Sequence, residues 1–135
     1  MSKTFRLPIR VYYEDTDAGG IVYYANYLKF MERARTEWLA SLGFELPELE
    51  RVEDIVFVVH RVEIDFRRPA RLRERLDATL TLLELKRARM QVAQDVARGD
   101  EVLTHARVML ACLTRGTLRP TRIPADLHER LGSLL

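Results

Sequence analysis

Residues 26–43 read NYLKFMERARTEWLASLG, and this stretch decides the fold. Its apolar side chains recur at helical spacing, at Tyr27, Phe30, Met31, Ala34, Trp38 and Leu42. Gly43 stands where a helix of about four and a half turns would end. The sequence therefore predicts one long helix with a wide apolar face that must be covered by another layer.

Strand patterns lie on both sides of this helix. Residues 7–13, LPIRVYY, are rich in β-branched and aromatic side chains. After the helix, apolar residues alternate with polar ones in residues 58–66, 76–82, 88–96 and 102–112, with the even positions facing inward in the first run. Gly99 and Asp100 predict a hairpin turn, and residues 125–134 a short tail helix.

Strands that follow one another with short connections favour an antiparallel sheet. With a single long helix, this predicts an α+β fold in which a curved five-stranded sheet wraps around the helix. Residues 1–135 contain no repeat or linker, so we expect one domain. The open edges of such a sheet favour pairing between chains, and we expect at least a dimer.

Composition excludes several classes of protein. Apolar residues make up 47% and charged residues 31% of the chain, which is typical of a globular protein. The net charge of +2 provides no overall field to recruit nucleic acid. No apolar run is long enough to span a bilayer. Cys112 is the only cysteine, so no internal disulfide can form, and we expect a cytoplasmic location.

Residues 14–20, EDTDAGG, hold three carboxylates and two glycines between the first strand and the helix. The cluster fits a solvated turn, because Asp bonds its own backbone and Gly tolerates positive φ. It also resembles part of a calcium loop, but the following IVYY supplies no further ligand. A third interpretation is a carboxylate beside a helix N-terminus, whose free N–H groups would polarise a carbonyl.

Residues 11–39, VYYEDTDAGGIVYYANYLKFMERARTEWL, resemble the signature of hotdog-fold acyl-CoA thioesterases of the 4-hydroxybenzoyl-CoA thioesterase type. They are most similar to its YbgC, Tol-Pal-associated branch. Residues 58–76, VVHRVEIDFRRPARLRERL, resemble the second strand and following loop of that branch, whereas residues after Pro120 add nothing to the resemblance. The resemblance implies a hotdog fold and hydrolysis of acyl-CoA to free acid and CoA.

The resemblance also implies roles for individual residues. Asp17 is the expected catalytic carboxylate, acting as nucleophile or general base. The backbone N–H of Tyr24, where many members carry His, is expected to polarise the thioester. Gly19 and Gly20 would let the acyl group or pantetheine arm approach the backbone closely. No cofactor or metal is implied, since CoA is part of the substrate.

The CoA phosphates require a local basic surface. Residues 67–75, RRPARLRER, contain five arginines, and Lys86, Arg87 and Arg89 lie at a strand end. Either set could be a solvated charged loop. The resemblance favours Lys86, Arg87 and Arg89. It also implies a homo-oligomer, either a dimer or a homotetramer built as a dimer of dimers, and an acyl carrier protein as a second partner to consider.

Other interpretations remain open. A non-catalytic acyl-CoA or acyl-carrier-protein binding module on the same fold would use Asp17 only as a cap. No serine lies in a G-x-S-x-G elbow, and Cys112, His60 and His105 fit core or surface positions better than a site. Glu32 and Arg35 could line the site of a neighbouring subunit, but we expect a surface ion pair between them. The aromatic residues Tyr23, Tyr24, Tyr27 and Phe30 indicate a short or aromatic acyl group.

Overall fold

The computed structural model describes residues 3–135. Its elements are β1 (Phe5–Arg10), a 3-10 turn (Tyr13–Asp15), α1 (Asn26–Ser41), α2 (Leu46–Glu53), β2 (Ile55–Phe66), β3 (Arg75–Leu85), β4 (Arg89–Arg98), β5 (Glu101–Thr114) and α3 (Ala125–Gly132). The five strands form one sheet in the order β1-β3-β4-β5-β2, and every neighbouring pair is antiparallel. The predicted α+β architecture is confirmed.

Helix α1 lies across the sheet and supplies the centre of the core. Phe30, Met31 and Ala34 are fully buried, and Trp38 is nearly so. These residues share one face of the helix, which packs over β1, β3 and β4. Gly43 ends the turn after the helix with a φ of 95°, a conformation that favours glycine. The helix predicted from residues 26–43 is therefore confirmed.

The alternation predicted for β2 is correct only in its second half. A β-bulge at His60 shifts the register, so that Val59 pairs with Leu110 but Arg61 pairs with Met109. Val62 and Ile64 then face the core side as predicted. Before the bulge, the odd positions take that side, and the prediction that Val58 faces inward is wrong. Residues 55–59 are all apolar, so the change of phase at the bulge leaves no mark on the sequence pattern.

Two further features differ from the sequence prediction, and a third agrees with it. Strand β1 ends at Arg10, because residues 11–15 leave the sheet and form a 3-10 turn. Helix α2 was not predicted, since it is short and carries Pro47 in its first turn. The predicted tail helix is present as α3, and its Leu127 and Leu131 are fully buried, so the tail completes the core.

The two edges of the sheet are unlike each other. Strand β1 has six residues and contains Pro8, which cannot donate a backbone hydrogen bond to a new neighbour. Strand β2 has twelve residues, and its Val59 and Phe66 are 45% and 48% exposed. The β2 edge is therefore the one suited to pairing. No helix within residues 3–135 has the length and hydropathy needed to cross a bilayer.

Candidate active site

The loop between β1 and α1 folds back on itself and presents Asp17. Thr16 and Val22 form an isolated antiparallel bridge, and the Asp17 N–H donates to the Ile21 carbonyl at 2.9 Å. The Asp17 side chain is exposed, and its Oδ1 accepts the Gly19 N–H at 2.8 Å. A carboxylate on this loop is therefore both open to solvent and held in one orientation.

Glycine suits positions 19 and 20 for different structural reasons. A Cβ at Gly19 would lie 3.2 Å from Asp17 Oδ1, so a side chain there would press on the carboxylate. Gly20 has a φ of 78°, which disfavours other residues, and an added Cβ there would meet no atom within 4 Å. The space beside Gly20 is consistent with the close approach of a ligand to the backbone.

Asp15 is buried, so the interpretation of the whole acidic cluster as a solvated turn is wrong for this residue. Its Oδ2 accepts the Tyr12 N–H at 2.9 Å, and its Oδ1 accepts Asn26 Nδ2 at 3.1 Å. The three-residue spacing from Tyr12 to Asp15 is that of the reciprocal half of a capping box. No signal in the sequence marks this difference, because Glu14 and Asp17 also follow another residue at this spacing.

The start of α1 provides a free backbone donor. The Tyr23 N–H donates to the Asp15 carbonyl at 2.9 Å, and the Asn26 N–H donates to the Tyr23 carbonyl at 2.8 Å. Between them, neither the Tyr24 N–H nor the Ala25 N–H has an acceptor among residues 3–135. The first N–H groups of a helix point away from it and carry its positive dipole end. Tyr24 is thus a donor just before the helix N-terminus, two residues before Asn26 and seven residues after Asp17.

An aromatic wall borders this donor. The Tyr24 ring lies 4.9 Å from the Tyr23 ring and 6.0 Å from the Phe66 ring, which it meets edge to face. Tyr23 and Tyr24 are exposed, whereas Tyr27 and Phe30 are buried in the core. Only the first two of the four aromatic residues considered for the acyl site are therefore open at the surface.

The arginine-rich segment 67–75 lies next to the Asp17 loop in the same chain. Ile21 pairs with Arg71 as an isolated bridge, and the Leu72 N–H donates to the Gly20 carbonyl at 3.4 Å. The side chains of Arg71 and Arg73 are exposed and form no ion pair within residues 3–135. The segment offers unpaired positive charge close to the glycines.

Lys86, Arg87 and Arg89 lie elsewhere, at the turn between β3 and β4. Lys86 and Arg89 line a cavity of about 190 Å³ with His60, and Lys86 Nζ is 3.2 Å from Glu84 Oε1. Arg89 pairs with Ala111, which pairs with Val58 on β2. Because Phe66 marks the Asp17 end of β2, the two sites are separated by about 26 Å along that strand. One protomer does not bring them together.

The ion pair expected between Glu32 and Arg35 is wrong for this chain. Arg35 Nη1 instead donates to Gln94 Oε1 at 3.0 Å, and Gln94 Nε2 donates to the Met31 carbonyl at 2.9 Å. Burial lowers the pKa of the Arg35 guanidinium. The contact ties the middle of α1 to the fully buried Gln94 of β4, which the helical spacing alone did not indicate.

Glu32 and Arg35 also line a cavity of about 420 Å³ between α1 and β2. Most of its lining is apolar and comes from both layers, including Trp38, Leu39, Phe57, Met90 and Leu110. It opens beside the unpaired β2 edge. A cavity of this size and lining fits a small apolar group.

The remaining titratable candidates form no second site. His105 Nδ1 lies 2.5 Å from Asp95 Oδ1 on the outer side of the sheet, a pair that the sequence did not indicate. Within residues 3–135, no group of three or more His, Cys, Asp or Glu side chains is placed to hold a metal ion. Cys112 is buried, as predicted, with its Sγ 3.9 Å from the Arg122 carbonyl.

Burial raises the pKa of the Cys112 thiol from 9.0 to about 11. A native state that holds this proton more tightly than the unfolded chain loses stability as pH rises from 9.0 through about 11, and is unaffected below that range. We therefore expect the free energy of unfolding to decline over this range less steeply in Cys112→Ala than in the wild type. Urea titrations at several pH values measure it.

The same burial predicts slow labelling. A thiol reagent at pH 8 should react with native protein at least about 100-fold more slowly than with urea-unfolded protein. Equal rates in both states would show that Cys112 is accessible and would contradict its assignment to the core.

Comparison with known proteins identifies the family. The model of the thioesterase superfamily matches residues 19–105. An acyl-CoA thioesterase YbgC of Haemophilus influenzae is 41% identical over 130 residues, which cover 96% of each chain. The chain belongs to the thioesterase superfamily. This membership confirms the resemblance inferred from residues 11–39.

Two further relatives of this thioesterase extend the comparison. A 1,4-dihydroxy-2-naphthoyl-CoA hydrolase of Synechococcus elongatus is 32% identical, with 87% of each chain covered. The crystal structure of a probable thioesterase from Bartonella henselae superposes with a TM-score of 0.86 at 36% identity, covering 90% of this chain and 99% of that one. The hotdog fold is therefore confirmed together with the thioesterase assignment.

Proposed function

We propose that this acyl-CoA thioesterase hydrolyses its substrate at Asp17, with the Tyr24 N–H as the donor to the thioester oxygen. One observation supports the proposal above all. A single pinned loop carries an exposed, oriented carboxylate and ends in an amide without an acceptor at the N-terminus of α1. Hydrolysis of a thioester requires these two groups, one to attack and one to stabilise the negative charge that develops on oxygen.

Two routes use the same residues. In the first, Asp17 attacks the thioester carbon, CoA leaves as a thiolate, and water then cleaves the mixed anhydride. In the second, Asp17 takes a proton from water, which attacks the carbon directly, and CoA leaves as a thiolate to give the free acid. In both routes the Tyr24 N–H donates to the oxyanion. Burial excludes Asp15. Glu14 is exposed like Asp17, so the choice of Asp17 rests on the family resemblance and on the Gly19 N–H that orients its carboxylate.

The site gains a second half if two chains pair along β2. A two-fold axis that extends the sheet pairs an edge strand with its own copy in an antiparallel manner. The Phe66 end of one β2 then lies beside the Val58 end of the other. This arrangement carries Asp17 of one protomer towards Lys86, Arg87 and Arg89 of the other, the residues separated within one chain. We propose that these basic side chains hold the CoA phosphates across a dimer.

The double variant Arg87→Ala plus Arg89→Ala tests this assignment. We expect KM for acyl-CoA to rise about tenfold with kcat retained, since a charge-assisted contact is worth roughly 1.5 kcal/mol or more. Added salt should reduce the difference between wild type and variant. Arg71→Ala plus Arg73→Ala is the matched control from the segment beside Asp17. A raised KM in that control alone would transfer the phosphate site to residues 67–75.

A mixed dimer distinguishes an active site formed within one protomer from an active site shared between two protomers. It combines a chain carrying Asp17→Asn with a chain carrying Arg87→Ala plus Arg89→Ala, purified through two different tags. If the site is shared across the dimer, one of its two sites contains only wild-type residues, and KM equals that of wild type. A KM equal to that of the arginine variant would show that each protomer uses its own basic cluster.

The cavity between α1 and β2 supports a short or aromatic acyl group. Its volume of about 420 Å³ and mostly apolar lining suit such a group, and it opens at the β2 edge where the partner's Asp17 loop would lie. The Synechococcus elongatus relative, a hydrolase of an aromatic acyl-CoA, is consistent with this choice. Turnover of benzoyl-CoA faster than palmitoyl-CoA would support it, and the reverse order would refute it.

The same features support proposals for the partners and the location. Exposed arginines at residues 67–75 and 87–89 would also suit an acidic acyl carrier protein, and comparing acyl carrier protein with CoA as the acyl donor decides between them. A free buried cysteine fits the reducing cytoplasm. A dimer of dimers would need one further contact surface. Sedimentation equilibrium distinguishes dimer from tetramer.

A further inference from the structure

Asp15 makes the best-connected polar contacts in the loop. Its carboxylate accepts from the Tyr12 backbone and from the Asn26 side chain, while its carbonyl accepts the Tyr23 N–H. Tyr12 lies just after β1, and Asn26 is the first residue of α1. One side chain therefore ties the end of the edge strand to the beginning of the central helix.

The contact between Asp15 and Asn26 is buried, which is unfavourable for the charged carboxylate of Asp15. Asp15 is 3% and Asn26 8% exposed, and no cationic side chain within residues 3–135 lies close enough to Asp15 for an ion pair. Removing a carboxylate from water is strongly unfavourable unless it is hydrogen-bonded. The two neutral donors and the positive end of α1 offset that cost. Loss of either donor would leave the charge poorly compensated.

The two groups of the proposed active site, the Asp17 carboxylate and the Tyr24 N–H, lie in the segment between Asp15 and its hydrogen-bond partner Asn26. Asp17 lies two residues after Asp15 and directly after Thr16, which forms the isolated bridge with Val22. Tyr24 directly follows Tyr23, whose N–H donates to the Asp15 carbonyl. It lies two residues before Asn26, whose side-chain amide donates to the Asp15 carboxylate. We therefore expect the direction of the Tyr24 N–H to depend on where Asp15 holds Tyr23, one residue before it, and Asn26, two residues after it.

We propose that Asp15 is the positioning residue that aligns the Tyr24 N–H with the carboxylate of Asp17. The assignment rests on the proposed function of those two residues. Asp15 itself does not contact the thioester, because its carboxylate is buried and occupied by two donors. Its effect should appear in kcat, since an oxyanion donor acts mainly in the transition state, and only weakly in KM.

Three variants test the proposal, because the pair can be reversed. Asp15→Ala removes the acceptor, and Asn26→Asp places two buried carboxylates against each other. In the double variant Asp15→Asn plus Asn26→Asp, the amide at position 15 donates to the carboxylate at position 26, and its oxygen still accepts from Tyr12. The double variant keeps the total charge of the wild type and restores every hydrogen bond of the pair.

We expect each single variant to lose about 10- to 100-fold in kcat with KM changed less than about threefold, comparable to partial loss of one oxyanion donor. The double variant should recover kcat to within about threefold of wild type. Thermal unfolding shows that each variant is folded at the assay temperature. Wild-type kcat in folded Asp15→Ala, or a stable double variant without recovered kcat, would overturn the proposal.

A second measurement does not depend on turnover. The chain has five tyrosines, so ¹⁵N-tyrosine labelling yields few amide resonances. The Tyr24 amide should shift in both single variants and return in the double variant, whereas Asp17→Asn should leave it near its wild-type position. If the wild type hydrolysed no thioester, the proposed function would fail, and the Tyr24 amide would still decide whether Asp15 positions it. An unmoved Tyr24 amide in Asp15→Ala would refute the role.

Discussion

Asp17→Asn should lose about 10³-fold or more in kcat while the protein stays folded. Asn lacks the negative charge needed to attack a carbonyl or to draw a proton from water. Its side-chain oxygen still accepts the Gly19 N–H, the one bond that the Asp17 carboxylate makes in residues 3–135. The free energy of unfolding should therefore stay within about 1 kcal/mol of wild type. Release of free CoA, followed with a thiol-reactive dye, measures the loss.

Glu14→Gln is the matched control for this variant. Glu14 is an exposed acid three residues away and forms no ion pair in the described part of the chain. Its kcat should remain close to that of wild type. This result would tie the loss to the position of Asp17 and not to the net charge of the loop. Near wild-type turnover in Asp17→Asn would refute the mechanism and favour a protein that binds acyl-CoA without cleaving it.

Phe30→Ala should lower the free energy of unfolding by about 3–5 kcal/mol. Phe30 is fully buried and meets the Tyr27 ring edge to face, with ring centroids 6.1 Å apart. Removing the ring opens a cavity between α1 and the sheet that the rigid layers cannot close. A loss of this size is a large part of the 5–15 kcal/mol typical of a domain. Urea unfolding at fixed protein concentration measures it.

Leu28→Ala is the control for the core variant. Leu28 lies on the same helix but is 43% exposed, so its truncation should cost less than about 1 kcal/mol. The comparison separates loss of packing from loss of helix propensity. A cost below about 1 kcal/mol for Phe30→Ala would show that the helix is not held by this face.

The apolar spacing of residues 26–43 predicted α1 and the core side chains on it. Period-two alternation likewise predicted the strands after the helix, because burial on one face leaves a regular trace in the chain. The bulge at His60 and helix α2 escaped prediction. Both depend on backbone geometry or on a few contacts with other elements, which contribute little to local periodicity.

The chemistry of the loop divides in the same way. The sequence by itself determined that acids, glycines and a helix start come together at residues 14–26, since these are neighbours in the chain. Only the tertiary structure decided which acid is buried and which is open, because the difference arises from donors on Tyr12 and Asn26 that the fold brings to Asp15. It also decided that residues 67–75 lie beside this loop and residues 86–89 lie far from it. Distances between segments remote in sequence depend on strand order and register, which local residue patterns do not encode.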